Sequence, residues 1–434
     1  MTITGTDQVL HEKTDVVVVG GGQAGIAASE HLTKIDMKHI VLERARTAEH
    51  WRTMRWDSLV ANGPAWHDRF PNMEFKDRHQ DAFVPKEEVA DYLVDYAKMF
   101  NAPIREGIDV RAVTRKANSS GFLVNTSEGV IETSYVISAT GAFQRPMVPP
   151  IVPDIAGIKQ IHSTAYRNSS ELPSGNVLIV GAGSSGAQIS MDLMKTSRKI
   201  FLSVGAHDRP PRRYRNRDFC WWLGVLNLWD AEANPSSTHT TIAVSGADGG
   251  STVDFRKLAN QGLTLLGLTE AFQDGVLTFA NNLSENIREG DKNYLSILDL
   301  ADAYAEKNGL DLPLDLEARK IGPDPQCIAS PIRSVDLRVE NISTIIWATG
   351  FSNDYSWLQV DAFEATNAPS HKRGISSEPG VYFLGLPWQS RRGSSFIWGV
   401  WHDAKFIVDH IQKQQGYLAY QGSAERLPVE WSKK

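Results

Sequence analysis

Asp15-Val16-Val17-Val18-Val19-Gly20-Gly21-Gly22-Gln23-Ala24-Gly25 decides the fold of this chain. The valine run is short, continuous and apolar, which suits a parallel strand covered on both faces. Residues 21–35 then switch to a helical pattern, and residues 38–43 (KHIVLE) return to strand. Such a strand–helix–strand unit implies a parallel sheet. Gly20, Gly22 and Gly25 fit the spacing G-x-G-x-x-G. The first glycine permits the tight turn, the second lets a pyrophosphate approach the backbone, and the third allows helix and strand to pack closely. Gln23 and Ala24 open the helix whose free N–H groups would receive the phosphates. Glu43 ends the second strand, where a carboxylate accepts hydrogen bonds from ribose hydroxyls and repels a 2′-phosphate. Strand, helix and acid together favour a dinucleotide site over a ligand-free glycine turn.

The pattern restarts at residues 176–181 (NVLIVG), with Gly181, Gly183, Ser184, Ser185 and Gly186 in the fingerprint positions. The second strand of this unit, residues 199–204, ends without a carboxylate, and Arg209, Arg212, Arg213, Arg215 and Arg217 follow. Loss of the acid and gain of arginines favour NADPH over NADH. The competing reading is a solvated basic loop, and Asp208 weighs on that side. Residues 135–141 (YVISATG), 344–350 (TIIWATG) and 381–386 (VYFLGL) read as further buried strands. Residues 86–100 and 400–415 read as helices, and residues 415–434 as a polar, loosely held end. Pro146, Pro149, Pro150 and Pro153 stop regular structure and mark the connection between units. The expected fold class is α/β with two Rossmann-like dinucleotide-binding domains, the second inserted into the first. The expected segments are 1–167, 168–333 and 334–434.

Composition narrows the function. A length of 434 residues suggests two or three domains. The net charge of −6 argues against nucleic-acid or acidic-lipid partners. No apolar run is long enough to span a bilayer, and MTITGTDQVLHEK lacks the apolar region of a secretory signal, so a cytoplasmic protein is expected. Cys220 and Cys327 stand far apart, which is no disulfide framework. Nine of the twelve tryptophans cluster at Trp51/Trp56/Trp66, Trp221/Trp222/Trp229 and Trp388/Trp398/Trp401. They either pack the core or line a ring-shaped ligand. Residues 219–229 (FCWWLGVLNLW) with Trp388, Phe396, Trp398 and Trp401 would build an aromatic pocket, a core or an oligomer face. His402-Asp403 is either a base pair in the site or a helix-surface feature. Metal motifs, nucleophile elbows and P-loops are not found in the sequence.

Two fingerprints, two strand ends of sequence A-T-G (Ala139-Thr140-Gly141 and Ala348-Thr349-Gly350) and a short insertion resemble the class B flavoprotein monooxygenases. These include flavin-containing monooxygenases, the plant auxin-forming type and Baeyer–Villiger enzymes, and the resemblance covers nearly the whole chain. It implies FAD on the first unit, NAD(P)H on the second, and O2 with a small organic substrate. Ser58-Leu59-Val60-Ala61-Asn62 resembles the stretch whose asparagine lies beside flavin and substrate, which makes Asn62 the expected catalytic residue. Trp51-Arg52 falls where the family places a tryptophan beside FAD, and Arg44 and Val110 complete the expected cofactor contacts. Residues 162–167 (HSTAYR) resemble the second half of the family linker signature, while Ile155 and the position of Gly157 depart from its first half. His162 is then a site residue or a linker histidine satisfying backbone groups. Tyr166-Arg167 stands where Baeyer–Villiger enzymes carry Trp-Pro or Trp-Asp, so oxygenation at nitrogen or sulfur through a C4a-(hydro)peroxyflavin is the leading chemistry. A Cys-x-x-Cys of the thioredoxin-reductase kind is missing. Residues 212–223 (RRYRNRDFCWWL) and 380–388 (GVYFLGLPW) resemble a bacterial branch of FAD-dependent oxidoreductases. An NAD(P)H oxidase or flavin-linked reductase, a Baeyer–Villiger oxygenase and a non-catalytic nucleotide sensor stand as alternatives. A monomer or homodimer is expected.

Overall fold

The computed structural model describes residues 10–117, 119–233 and 241–420. The chain builds β1 (Leu10–Val19), α1 (Gln23–Lys34), β2 (His39–Glu43), α2 (Lys86–Met99), β3 (Ile104–Glu106) and β4 (Gly129–Ser138) in its first layer. It continues with β5 (Lys159–His162), β6 (Asn176–Val180), α3 (Ser184–Leu193), β7 (Ile200–Ser203), α4 (Phe219–Val225), β8 (Thr264–Leu266), α5 (Leu283–Lys307) and β9 (Ile342–Trp347). It returns to the first layer with β10 (Val381–Phe383) and α6 (Ile397–Ala419).

Two parallel sheets result. The first runs β10-β4-β1-β2-β3, and the second runs β8-β7-β6-β9-β5. The valines of β1 show why both faces must be covered. Val16 and Val18 join the core under α1 and α6, while Val17 and Val19 join the core on the opposite face. All four have almost no solvent exposure, so the strand has no polar side to show. An antiparallel hairpin, Val110–Arg115 with Phe122–Thr126, is added on β4.

The pairing shifts the expected segment boundaries. β5 lies inside the segment 1–167 and β9 inside 334–434, yet both pair in the second sheet, with β9 seated between β6 and β5. The physical reason is burial: Ile345, Ile346 and Trp347 are fully buried, and β6 needs a parallel neighbour on each side. The two crossings between layers pair with each other, Arg145–Pro146 antiparallel to Phe351–Ser352. The sequence reading also passed over α5. Leu283, Ile287, Tyr294, Leu298, Ala301 and Ala305 form its buried stripe at helical spacing. At the C-terminus, α6 carries regular structure on to Ala419, so residues 415–419 are helical. The remainder of the expected loose end, 421–434, lies outside the described residues.

A buried carboxylate holds the three helices of the first layer together. Glu30 on α1 accepts hydrogen bonds from Tyr96 on α2 at 2.8 Å and from the Trp401 indole on α6 at 2.6 Å. Lys34 and Asn72 complete its set at 2.5 and 2.8 Å. Burial alone would raise its pKa, but the hydrogen bonds from Lys34, Tyr96 and Trp401 outweigh burial and hold the carboxyl below its ordinary value. Trp401, one of the expected pocket aromatics, is therefore a helix clamp. Beside it, His31 donates from Nε2 to the Trp401 carbonyl at 3.1 Å, and burial lowers its pKa to about 4.

This last feature sets an acid sensitivity. In the unfolded chain His31 takes up a proton near pH 6.5, whereas in the folded chain it stays neutral down to about pH 4. Its contribution to stability is therefore complete above about pH 6.5 and declines as pH falls towards 4, by about 3 kcal/mol at most. Urea midpoints of the wild type should fall across this window. Those of His31→Gln should fall less steeply, and equal slopes would refute the assignment.

Candidate functional site

The first crevice opens at the C-terminal ends of β1, β2 and β4. Gly20 has φ +114°, and a Cβ there would stand 2.5 Å from the Ala139 carbonyl oxygen. A Cβ on Gly25 would stand 1.8 Å from the Gly20 carbonyl oxygen. No L side chain fits either contact. Gly22, the N-cap of α1, has no atom of the described residues within 4 Å of its Cβ position, so among them the space over the start of α1 is open. That cradle at a helix N-terminus fits a pyrophosphate. Glu43 is clamped by the Gly21 N–H at 2.7 Å and the Ala45 N–H at 2.9 Å, one on each carboxylate oxygen. Each oxygen retains acceptor capacity for a ribose hydroxyl.

The remaining expected contacts of this unit surround the crevice unequally. Gln23 accepts from the Trp51 indole at 3.3 Å and donates to the Ser395 carbonyl at 2.8 Å, so the start of α1 is tied to the segment leading into α6. Sequence reading missed Ser395, whose signal is only a main-chain carbonyl. Arg52 braces its own turn, donating to the Thr47 carbonyl at 3.0 Å and to Asp91 at 2.8 Å. Arg44 is exposed, and Val110 packs half-buried against the second core face of the sheet. Thr140 and Gly141 both accept from the Gln144 amide, at 3.0 and 2.9 Å.

The second crevice repeats the first. A Cβ on Gly181 would stand 2.5 Å from the Ala348 carbonyl oxygen, and one on Gly186 would stand 1.8 Å from the Gly181 carbonyl oxygen. Both A-T-G motifs thus present their alanine carbonyl to the first glycine of a fingerprint. Here the helix start is more enclosed. Gly183 lies under Thr241, and the Ser184 hydroxyl donates to the Ile242 carbonyl at 2.8 Å, while Ser185 is half-buried. Thr349 donates to the Met147 carbonyl. His162 donates from Nε2 to the Gly350 carbonyl at 3.0 Å and accepts the Thr164 N–H on Nδ1 at 3.2 Å. Both nitrogens serve the linker, and burial lowers the pKa, so the neutral linker histidine is the reading that holds. His402 is exposed while Asp403 is buried and accepts from the Ser390 hydroxyl at 2.6 Å. The two do not form a base pair.

The expected phosphate arginines need correction. Arg209 donates to Asp291 at 3.0 and 2.8 Å and lies over the Tyr294 ring. Arg256 donates to the other oxygen of the same carboxylate at 2.6 Å. Arg212 pairs with Asp218 at 2.5 Å and donates to the Asn62 carbonyl at 2.5 Å. Arg209 and Arg212 are at most 4% exposed, so neither offers its guanidinium to a 2′-phosphate. Arg213 is exposed on a short ribbon, Arg213–Tyr214 paired with Arg217–Asp218. Asn62 meets the second layer through its side chain as well, since its Oδ1 accepts the Gln188 amide of α3 at 2.8 Å.

An aromatic cavity of about 460 Å³ is lined by Trp66, His67, Phe70, Trp221, Trp229 and Trp398 among others. Three separate stretches supply these rings: the loop after Asn62, α4 with the residues beyond it, and the start of α6. Of the expected aromatics, Phe396 packs against Trp229 at 5.1 Å and Trp388 lies under the Arg392 guanidinium at 5.1 Å. His67 and Phe70 were not anticipated from the sequence.

Comparison with known proteins places these features in context. The profile of the pyridine nucleotide-disulphide oxidoreductase family matches residues 17–219. An uncharacterized CzcO-like oxidoreductase of Geobacillus kaustophilus is 32% identical, over 92% of this chain and 98% of that protein. An indole-3-pyruvate monooxygenase, YUCCA1 of Oryza sativa subsp. japonica, is 28% identical over 87% of this chain and 88% of that protein. The solved structure of a flavin-containing monooxygenase from Stenotrophomonas maltophilia superposes with a TM-score of 0.64, covering 93% of this chain and 99% of that one, at 20% identity. Its likeness extends to the fold. Among the described residues no helix is long and apolar enough to cross a membrane.

The corrected arginine assignment has a measurable consequence. Asp291→Ala would leave the buried Arg209 guanidinium with only the Asp254 contact at 4.0 Å among the described residues, while Arg256 keeps Asp324 at 2.6 Å, at a cost of roughly 3–5 kcal/mol. Chemical denaturation should show that loss. A drop below about 1 kcal/mol, as for an exposed pair, would show that the cluster is solvated.

Proposed function

We propose that this chain, which belongs to the family of the CzcO-like oxidoreductases, is a flavin-dependent monooxygenase that binds FAD in the first crevice and NAD(P)H in the second. It uses O2 to oxygenate a small organic substrate, at nitrogen or sulfur. The observation that carries this reading is the repetition of one phosphate cradle on two layers, with Asn62 of the first layer hydrogen-bonded to Gln188 and Arg212 of the second. The names of the rice relative and of the bacterial structure, both monooxygenases, support the same reaction type.

The geometry supports the following roles. The N-termini of α1 and α3 receive the two pyrophosphates, because a helix start offers unpaired N–H groups and a positive dipole end. Glu43 orients the FAD ribose. Ser184 and Ser185, half-buried at the start of α3, would hold the nicotinamide nucleotide's phosphates, and Arg213 is the exposed arginine among Arg209, Arg212 and Arg213. Bound FAD, reduced by NAD(P)H, supplies the oxygen-activating chemistry. Gln188 fixes the Asn62 carboxamide oxygen, which leaves Nδ2 as the side-chain donor that Asn62 would offer to a bound flavin or substrate.

Three outcomes test the proposal. Stopped-flow mixing of reduced enzyme with O2 should reveal a long-lived species before oxidised flavin returns; a single direct step would favour an oxidase. Asn62→Ala should keep bound FAD but release more peroxide for each NADPH consumed, and unchanged coupling would remove Asn62 from the site. Gly186→Ala drives a methyl group into the Gly181 carbonyl, so it should retain the yellow flavin and its reduction by dithionite yet lose bleaching by NADPH. Normal NADPH bleaching in that variant would reassign the second crevice.

A further inference from the structure

Two side chains in the wall of the aromatic cavity carry buried polar atoms with no hydrogen-bond partner among the described residues. His67 donates from Nδ1 to Asp68 at 2.7 Å, and the Asp68 carboxylate is held on its other oxygen by the Gly63 N–H at 2.8 Å. A Cβ on Gly63 would stand 2.3 Å from Asp68, so the glycine next to Asn62 is what lets this carboxylate approach. With its proton on Nδ1, the imidazole presents a lone pair on Nε2. The His67 side chain is 9% exposed and Nε2 is buried, and it has no hydrogen-bond partner among the described residues. The Trp398 indole N–H is likewise buried without a partner among the described residues. Both side chains line the cavity, their ring centroids are 5.1 Å apart, and Trp229 stacks on the imidazole at 5.0 Å. A buried acceptor and a buried donor on two side chains of one cavity wall each carry a desolvation cost while they stay unpartnered.

We propose that His67 and Trp398 are the polar anchors of the substrate site, with Asp68 as the positioning residue that fixes the imidazole. The matching ligand is a compact aromatic molecule bearing a hydroxyl or a neutral amine. Such a group donates to His67 Nε2 and accepts from Trp398 Nε1, while its ring lies among Trp66, Trp221 and Trp229. This selects against fully apolar ligands, because they leave both buried atoms unanswered. The monooxygenase reading is needed only for the oxygenation of the bound molecule; recognition itself is measured without turnover.

The test uses the flavin-loaded full chain and two probes of equal size, 2-phenylethanol and n-propylbenzene, with binding monitored by quenching of tryptophan fluorescence. A purely apolar cavity binds the hydrocarbon more tightly, because burying an unpaired hydroxyl is unfavourable. The proposal expects the wild type to bind the alcohol at least as tightly as the hydrocarbon. His67→Phe should weaken the alcohol about tenfold and leave the hydrocarbon within about twofold. Trp398→Phe, which keeps a ring and removes the donor, should act in the same direction; it carries the test if His67→Phe fails to retain flavin. Asp68→Asn should weaken the alcohol selectively, as a loosened imidazole would. Tighter hydrocarbon binding by the wild type, or an unchanged ratio in the variants, overturns the proposal. Stopped-flow failure with the selectivity intact would instead strike the oxygenase reading alone.

Discussion

Twice in this chain a glycine Cα lies where a side chain would penetrate the carbonyl oxygen of an alanine on a neighbouring strand. That steric constraint organises everything around it. Because Gly20 has no Cβ, β1 can end against Ala139 and turn directly into α1. Because Gly25 has none, α1 can lie on the turn it came from. The same two contacts, at Gly181 and Gly186, put α3 on β6. A helix seated so closely presents its first N–H groups at the sheet's C-terminal edge, and the open space over Gly22 turns that edge into an anion cradle.

Buried charge then ties the layers and helices to these turns. Glu30 gathers α1, α2 and α6, and Asp291 gathers Arg209 and Arg256 across the second layer. Arg212 reaches from the second layer to the carbonyl of Asn62, and Gln188 reaches to its side chain. Basic residues that suggest phosphate recognition by their clustering serve here as internal fasteners. A buried guanidinium requires its carboxylate, and both Arg209 and Arg212 have theirs. The loop that carries Asn62 is thereby fixed against both layers, with Ala61 and Ala65 in the first core and Trp56 and Leu59 in the second.

The aromatic cavity depends on that fixation. Its walls come from a loop of the first layer, from α4 and from the start of α6, and each stretch is positioned by a different fastening: Arg212 on Asn62, Asp218 capping α4, and Gln23 on Ser395. The cavity is thus a product of how the layers meet.

What the sequence determined by itself was local. The valine runs, the glycine spacings, Glu43 and the two A-T-G strand ends are written within short stretches, because strand burial, turn sterics and helix starts involve neighbours along the chain. They sufficed for two nucleotide-binding layers and their order. Tertiary structure alone decided that β5 and β9 complete the second sheet, that His162 serves Gly350, and that Trp401 clamps helices while Trp398 faces a cavity. It also decided the fate of the arginines, since Arg209 and Asp291 are 82 positions apart. Charge partners and cavity walls are chosen by distance in space, and no periodicity along the chain encodes them.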